Sequence, residues 1–461
     1  MSMGILGCSY LRLMAAMVLL LSGSLFGAVA EPIDVGSRLE LFVDDYLIEG
    51  MDNVALKLHE PVLAAAPTGD VDELEYGTIL KDGDVYRLYT RARHNSRLDG
   101  DEGEYTRYFE STDGRDWVAP DLGLFTVEGT DWKNVILHEP PLCHNFSPMI
   151  DARPGVPAEE RFKALGGTGS LGGVGLVAFV SGDGIHWRKL APEPVIPPTV
   201  PWENVHLFDS QNVAFWSESE GRYVCYFRSY DGLRKIARIE SEDFIHWTNP
   251  KELMVNSEGE HLYPSQTHPY FRAPHIYIAM PTRFYPDRGE STDILFMSTR
   301  GDALYKRPFH EAFIRPGLDP ARWGNRSNYA VLNTVPTGPA EMSIYTTPMR
   351  RFTLRTDGFV SVHAGATMGE MVTKPLTFSG KELVVNCATS GGGSLGVEIQ
   401  DETGTAVAGF GRDDSLRFVG DAIETVITWT GGSDVSSLAG KVVRLRFELA
   451  DADLYAIQFH D

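Results

Sequence analysis

The chain has 461 residues, with 63 acidic and 41 basic side chains and a formal net charge of −22. So acidic a surface repels phosphate backbones and anionic lipid headgroups, which argues against nucleic-acid and membrane partners. With 43% hydrophobic residues, the chain can bury one or two cores of ample size.

Residues 1–30 have the composition of a secretory signal peptide. One charge, Arg12, precedes the apolar run at 13–21, and small residues end the segment before Glu31. No later stretch reaches the roughly 20 apolar residues of a membrane-spanning helix. We therefore expect an exported protein, secreted or periplasmic. The three cysteines after residue 30 allow at most one disulfide: Cys143, Cys225 and Cys387.

A seven-residue phrase that begins with serine and ends with tryptophan occurs three times, at 111–117, 181–187 and 241–247. A degenerate fourth copy lies at 298–301. In each copy an apolar run ends at the serine, a turn follows, and an aromatic residue opens the next run, which is typical of a β-hairpin. Units repeating every 60 to 70 residues predict stacked four-stranded sheets, the blades of a propeller.

The spacing predicts an all-β protein made of a five-bladed β-propeller followed by a C-terminal β-sandwich. The propeller should occupy 31–364, after the signal peptide at 1–30, with residues 39–43 as the strand that closes the ring. From 365 to 461 the phrase stops, and short alternating segments joined by glycines predict the sandwich.

In a propeller the first strand of each blade lines the central channel, so polar residues at those strand starts should converge. Read in chain order, the starts are Glu75, Asn145, Asp209, His268 and Glu341. Two carboxyl groups facing each other across a cleft are what glycoside hydrolysis requires. We expect Glu341, beside apolar residues, to be the general acid, and Asp209 to be the base or nucleophile. Glu75 is a third catalytic candidate that orients substrate, tunes the acid or exchanges roles with Asp209.

A second group of side chains is suited to binding sugars. Guanidinium groups bind hydroxyls and carboxylates, and aromatic faces pack on sugar rings. The candidate substrate-binding residues are Asn145, His268, Arg272, His275, Arg283 and Arg93. The spacing of histidines and cysteines predicts no metal site, and no motif predicts a cofactor. The repeated phrases are interpreted as structural turns.

The repeated turn, the blade start at 209–212 and the sheet-rich C-terminal segment together resemble the five-bladed propeller glycosidases of glycoside hydrolase families 32 and 43. The chain also resembles secreted proteins described loosely as family-32-like. The resemblance implies three acidic residues on inner strands acting as nucleophile or base, acid and pKa tuner. In those families the acids come from early blades, whereas here the second blade offers Asn145 and Glu341 lies in the last.

The resulting hypothesis is an exported glycoside hydrolase that removes a terminal sugar from a poly- or oligosaccharide. One alternative is a propeller that binds glycans without cleaving them, and another is a sialidase-like enzyme. The sequence leaves the sugar, the linkage, the stereochemical outcome and the oligomeric state open.

Overall fold

The computed structural model describes residues 31–72, 74–169, 173–198, 207–253, 255–301 and 304–461. Within these ranges the regular elements are strands and three short 3₁₀ turns, so the predicted all-β class is confirmed. None of the helical elements described there is long and apolar enough to cross a bilayer. The predicted signal peptide lies outside the described residues.

Six short strands open the described chain and serve different sheets. They are β1 (Ile33–Gly36), β2 (Glu40–Leu41), β3 (Ile48–Asp52), β4 (Ala55–Leu58), β5 (Val62–Leu63) and β6 (Thr68–Gly69). The first four pair with strands from the end of the chain, whereas β5 and β6 pair within the repeated region.

Three four-stranded antiparallel sheets follow, each carrying one copy of the repeated turn. The first contains β7 (Glu75–Asp82), β8 (Val85–Arg93), β9 (Glu104–Ser111) and β11 (Val135–Leu137), while β10 (Asp116–Trp117) pairs with β6. The second contains β12 (Ser147–Ile150), β13 (Phe162–Thr168), β14 (Gly175–Ser181) and β15 (Arg188–Lys189). The third contains β16 (Val213–Ser217), β17 (Arg222–Tyr230), β18 (Arg234–Ser241) and β19 (Lys251–Glu252).

The fourth repeat is split into two three-stranded sheets, and the fifth borrows a strand from the start of the chain. The strands of the fourth are β20 (His261–Leu262), β21 (His268–Tyr270), β22 (Ala273–Ala279), β23 (Thr282–Tyr285), β24 (Ser291–Ile294) and β25 (Met297–Thr299). In the fifth, β26 (Val335–Pro336), β27 (Glu341–Thr346) and β28 (Arg350–Arg355) continue into β5. The 3₁₀ turns are Ala158–Glu160, Pro320–Trp323 and Ser436–Leu438.

The C-terminal strands form a ten-stranded sheet together with β1–β4. They are β29 (Val360–Ala364), β30 (Gly369–Thr373), β31 (Leu376–Phe378), β32 (Glu382–Asp401), β33 (Asp421–Val426) and β34 (Val443–His460). The predicted ring-closing strand at 39–43 is wrong, because β2 pairs with β34 and the strand that joins the fifth repeat is β5. Val35, Phe42 and Leu47 pack in the core of the C-terminal strands, whereas Leu39, Leu41 and Val43 pack in a core with the fourth and fifth repeats. The boundary at 365 stays a prediction.

The first strands of successive repeats contact one another. Strand β7 contacts β12 and β26, and β16 contacts β12 and β21. Between the fourth and fifth repeats, the backbone N–H of Thr334 donates to Nε2 of His268. A cavity of 310 Å³ is lined by residues near the ends of all five inner strands, among them Leu80, Ile150, Trp216, Pro269 and Pro336.

A polar layer crosses the axis between this cavity and the beginnings of the strands. The amide of Gln211 donates to Thr78 Oγ1 at 2.6 Å, and the amide of Gln266 donates to Gln211 Oε1 at 2.8 Å. Gln266 also donates to the carbonyl of Ala330. These residues come from four different repeats, so the hydrogen bonds join those repeats to one another.

Each repeated turn is organised by the same hydrogen bonds. In the second copy, Ser181 Oγ accepts from the backbone N–H of Gly184. Asp183 Oδ1 accepts from the backbone N–H groups of Ile185 and His186. The first and third copies repeat these contacts. The aromatic residue that follows the turn packs between repeats, since Trp187 contacts Tyr89 and Phe146 edge-on.

Candidate functional site

Three predicted site residues meet at one end of the inner strands. Glu75 opens β7, Asn145 lies two residues before β12, and Asp209 lies four residues before β16. We call this end of the axis the Glu75 rim, defined by Glu75, Asn145 and Asp209. Because the inner strands run side by side in the same direction, residues ahead of them gather at the same edge.

A buried arginine joins the first two repeats at this rim. Arg91, at 2% exposure, places Nη2 2.5 Å from Glu75 Oε1 and donates from Nη1 to Asn145 Oδ1 at 3.0 Å. Its guanidinium also lies 3.6 Å from Glu104 and stacks over the ring of Tyr76. One side chain thus fixes two carboxylates and an amide from different strands.

Two further arginines bind the carboxylates that face the solvent. Arg93 bonds Asp99 and lies 3.6 Å from Glu75, and Arg326 donates to Glu75 at 2.8 Å while lying 3.8 Å from Asp99. Burial opposes ionisation of Glu75, but Arg91, Arg93 and Arg326 outweigh it and lower its pKa. The same balance lowers the pKa of Asp99. Both carboxylates are therefore anionic at neutral pH.

A fully buried pair of side chains, Glu104 and His144, lies behind these groups. Nδ1 of His144 is 2.7 Å from Glu104 Oε2, and both side chains have no exposed surface. Nε2 of the same ring has no hydrogen-bond partner among the residues that the structure describes. The carboxylate therefore fixes the orientation of the imidazole.

Asp209 approaches the rim from the third repeat. It forms an ion pair with Arg228 at 2.5 Å, and its side chain keeps 23% of its surface exposed. One of its carboxylate oxygens lies within 4.8 Å of ligand atoms of both Asp99 and His144. Arg228 in turn stacks over Tyr263, whose hydroxyl is 2.9 Å from that of Tyr329. Together these groups form a charged cluster with tyrosines on one side.

Glu341 lies elsewhere, so the prediction that it faces Asp209 across the channel needs correction. It opens β27, the second strand of the fifth repeat, whereas the inner strand is β26. The far end of β27 continues into Thr347, which bonds Arg326 at the Glu75 rim. Six extended residues separate the two ends by about 16 Å. Glu341 instead binds Arg351, Thr337 and, at 3.2 Å, Arg115.

Four predicted sugar-binding residues also have other partners. His268 is buried, with Nδ1 bonded to the carbonyl of Gln266 and Nε2 accepting from Thr334. Burial lowers its pKa to about 4, so the ring is neutral. The other three carry ion pairs: Arg272 with Asp357 and Glu424, His275 with Glu40, and Arg283 with Asp293. None of these partners belongs to the Glu75 rim.

Sequence reasoning missed most of the groups that surround Glu75 and Asp209. The missed residues are Arg91, Asp99, Glu104, His144, Arg228 and Arg326. One usable signal was the spacing of Arg91 and Arg93, which places both on one face of β8. A second was His144, immediately before Asn145. Asp99 lies between β8 and β9, and Arg326 lies ahead of β26. In such loops the pattern of apolar residues does not indicate which way a side chain points.

Comparison with known proteins gives only distant likenesses. No protein-family model matches the chain, and no curated protein matches it. A solved structure titled "Glycoside hydrolase" has 13% identity and a TM-score of 0.41, with 68% of this chain and 92% of that chain covered. A family 43 arabinoxylan arabinofuranohydrolase from Bacillus subtilis, in complex with cellotetraose, has 13% identity and a TM-score of 0.38 over 85% and 96% of the two chains.

A family 32 beta-fructofuranosidase from Bombyx mori has 11% identity and a TM-score of 0.39 over 87% of this chain and 94% of its own. The chain is distantly similar to glycoside hydrolases of families 43 and 32. These are the families that the sequence motifs resemble.

Proposed function

We propose that the protein is an exported glycoside hydrolase whose substrate binds at the Glu75 rim. We infer that the five repeats close into a five-bladed propeller, and that the sheet formed by both ends of the chain packs as a sandwich. The contacts between successive inner strands support the first inference. The composition of residues 1–30 supports export.

The observation that carries the proposal is the convergence of carboxylates from separate repeats in one partly exposed cluster. Asp209 comes from the third repeat, and Glu75 and Asp99 from the first. Asp99 and Asp209 approach each other within 4.8 Å, and three arginines surround Glu75. Carboxylates activate water or attack an anomeric carbon, and guanidinium groups hold hydroxyls in place.

Asp209 is the proposed base or nucleophile. It reaches solvent and stands across from the arginine-bound pair of Glu75 and Asp99. Those two carboxylates are held anionic, which suits hydrogen bonds from sugar hydroxyls and makes them poor proton donors. Glu341 is too far from the rim to protonate the departing oxygen.

The assay should therefore begin with substrates that need little protonation. In aryl glycosides of acidic phenols, the phenolate leaves without strong help from a general acid. A panel of these substrates therefore tests the role of Asp209 as base or nucleophile separately from that of an acid. We expect wild-type turnover of at least one, and a loss of about 100-fold or more in Asp209→Asn. Glu341→Gln is the matched control, since it neutralises a carboxylate outside the rim, and it should keep wild-type turnover.

A glycan-binding protein without catalysis is the second candidate, favoured by the arginine contacts that hold Glu75 and Asp99 anionic. In that case a column of immobilised oligosaccharides should retain the wild-type protein and should retain Asp209→Asn less. Neither protein should turn over any glycoside. Turnover that is equal in Asp209→Asn and wild type would remove this rim from catalysis.

A further inference from the structure

His144 lies beside two carboxylates, one of them the proposed base Asp209, and glycoside hydrolysis gives no role to its imidazole. One ring nitrogen of His144 and one oxygen each of Asp99 and Asp209 lie within 4.8 Å of one another. The three residues come from the loop after β8, the segment before β12 and the segment before β16. We propose that they bind one divalent metal ion.

The imidazole of His144 is what distinguishes this group from an ordinary acidic cluster. Its side chain is fully buried, and Nδ1 lies 2.7 Å from Glu104 Oε2 and 3.3 Å from Arg91 Nη1. The carboxylate oxygen is the nearer partner and can only accept, so we assign the ring proton to Nδ1. A carboxylate that accepts from Nδ1–H leaves the lone pair on Nε2, the arrangement seen behind metal-binding histidines. Nε2 has no other partner in the described part of the chain. A buried polar atom without a partner needs an explanation, and a metal ion supplies one.

The donor set selects the class of metal. One imidazole nitrogen and two carboxylate oxygens suit Zn²⁺, Mn²⁺ or Co²⁺, whereas Ca²⁺ and Mg²⁺ prefer oxygen ligands throughout. Ligands about 2.1 Å from a tetrahedral ion are about 3.4 Å apart, so the group must contract by at most about 1.4 Å. Asp99 lies in a loop between strands, where such a movement disturbs no strand pairing.

The surrounding charges permit a cation here. Glu75, Asp99, Glu104 and Asp209 carry four negative charges at the rim, and they are matched by the guanidinium groups of Arg91, Arg93, Arg228 and Arg326. A carboxylate has about four acceptor positions, so it can bind an arginine and a metal ion together. Three protein ligands leave coordination positions for water or for a substrate hydroxyl.

The test uses the mature chain without an affinity tag, freed of metal with a chelator and titrated calorimetrically with ZnCl₂, MnCl₂ and CaCl₂ in turn. We expect one Zn²⁺ per chain, bound more tightly than Ca²⁺. Co²⁺ should bind at the same stoichiometry and give visible absorption bands. Asp99→Asn should weaken Zn²⁺ binding at least 10-fold, and Glu104→Gln should weaken it about 10- to 100-fold through the orientation of His144.

Asp121→Asn is the control, because this exposed aspartate pairs with Lys133 at 3.1 Å and lies outside the rim. It should bind Zn²⁺ as the wild type does. His144→Gln should abolish the Co²⁺ absorption bands. If that variant does not fold, the Zn²⁺ affinity of Asp99→Asn decides the question, because Asp99 is partly exposed and its replacement is less disruptive. Failure to find saturable binding of one Zn²⁺ or Co²⁺, or wild-type affinity in Asp99→Asn, would overturn the proposal. No sugar is present, so the result is independent of the hydrolase assay.

Discussion

Arg91→Met tests how much the buried guanidinium of Arg91, which contacts three side chains at the Glu75 rim, contributes to the free energy of unfolding. The change keeps a long apolar side chain but removes the partner of Glu75, Glu104 and Asn145. Breaking a buried ion pair from one side costs about 3–5 kcal/mol. Because Arg93 and Arg326 remain on Glu75, we expect the lower end, about 3 kcal/mol.

The same variant should respond differently to acid. In the wild type, burial opposes the ionised form of Glu75, but the three arginines prevail and hold its pKa below the ordinary 4.5. The stability contributed by this carboxylate is present above pH 4.5 and is lost as pH falls through the lower folded value. Removing Arg91 raises that folded value towards the unfolded one, so the loss of stability on acidification should be smaller in Arg91→Met and should end at a higher pH.

Urea unfolding followed by tryptophan fluorescence measures both effects when repeated from pH 7 down to pH 3. Arg115→Met is the control, because Arg115 is half exposed and pairs with Glu341 at 3.2 Å. An exposed pair contributes little, so the control should lie within about 0.5 kcal/mol of the wild type. Equal destabilisation by the two changes would refute the role given to Arg91.

Two further variants test the packing of the repeats. Gly184 has φ +78° and a Cβ added there would lie 2.6 Å from the hydroxyl of Tyr89, whereas Gly155 has φ +76° and open space. Gly184→Ala should therefore cost at least about 1 kcal/mol more than Gly155→Ala in urea unfolding, and equal costs would show that this contact relaxes freely. Burial lowers the pKa of His268 from 6.5 to about 4, so its contribution to stability, about 3 kcal/mol, is present above pH 6.5 and is lost as pH falls to 4. His268→Gln should flatten the stability profile over this interval, and an unchanged slope would contradict the assignment.

The sequence predicted the repeats well because each one carries its own local signal. The serine and aspartate of the phrase at 181–187 satisfy backbone N–H groups within three residues, so the turn needs no distant partner. The strand start at Glu75 was found because the inner strand β7 is long enough to show its pattern, and Asp209 was placed four residues ahead of its strand β16.

The assignment failed where a repeat departs from that order. The fifth repeat begins with the two-residue strand β26, too short to show alternation, so the longer β27 was taken for the inner strand and Glu341 was placed at the site. Arg272 and His275 were misassigned for another reason. Their partners Asp357, Glu424 and Glu40 lie at least 80 residues away in sequence, and only tertiary contacts reveal them.

The pairing of β2 with β34 joins residues from opposite termini, since Glu40 stands opposite Ile457. Strand β5 likewise completes the fifth repeat only after β28 has been synthesised. The β5 pairing cannot form until the chain has been made as far as Thr353, and the β2 pairing must wait for Ile457. Pairing over such sequence distances is slow, so the edges of both sheets stay unpaired until late in folding.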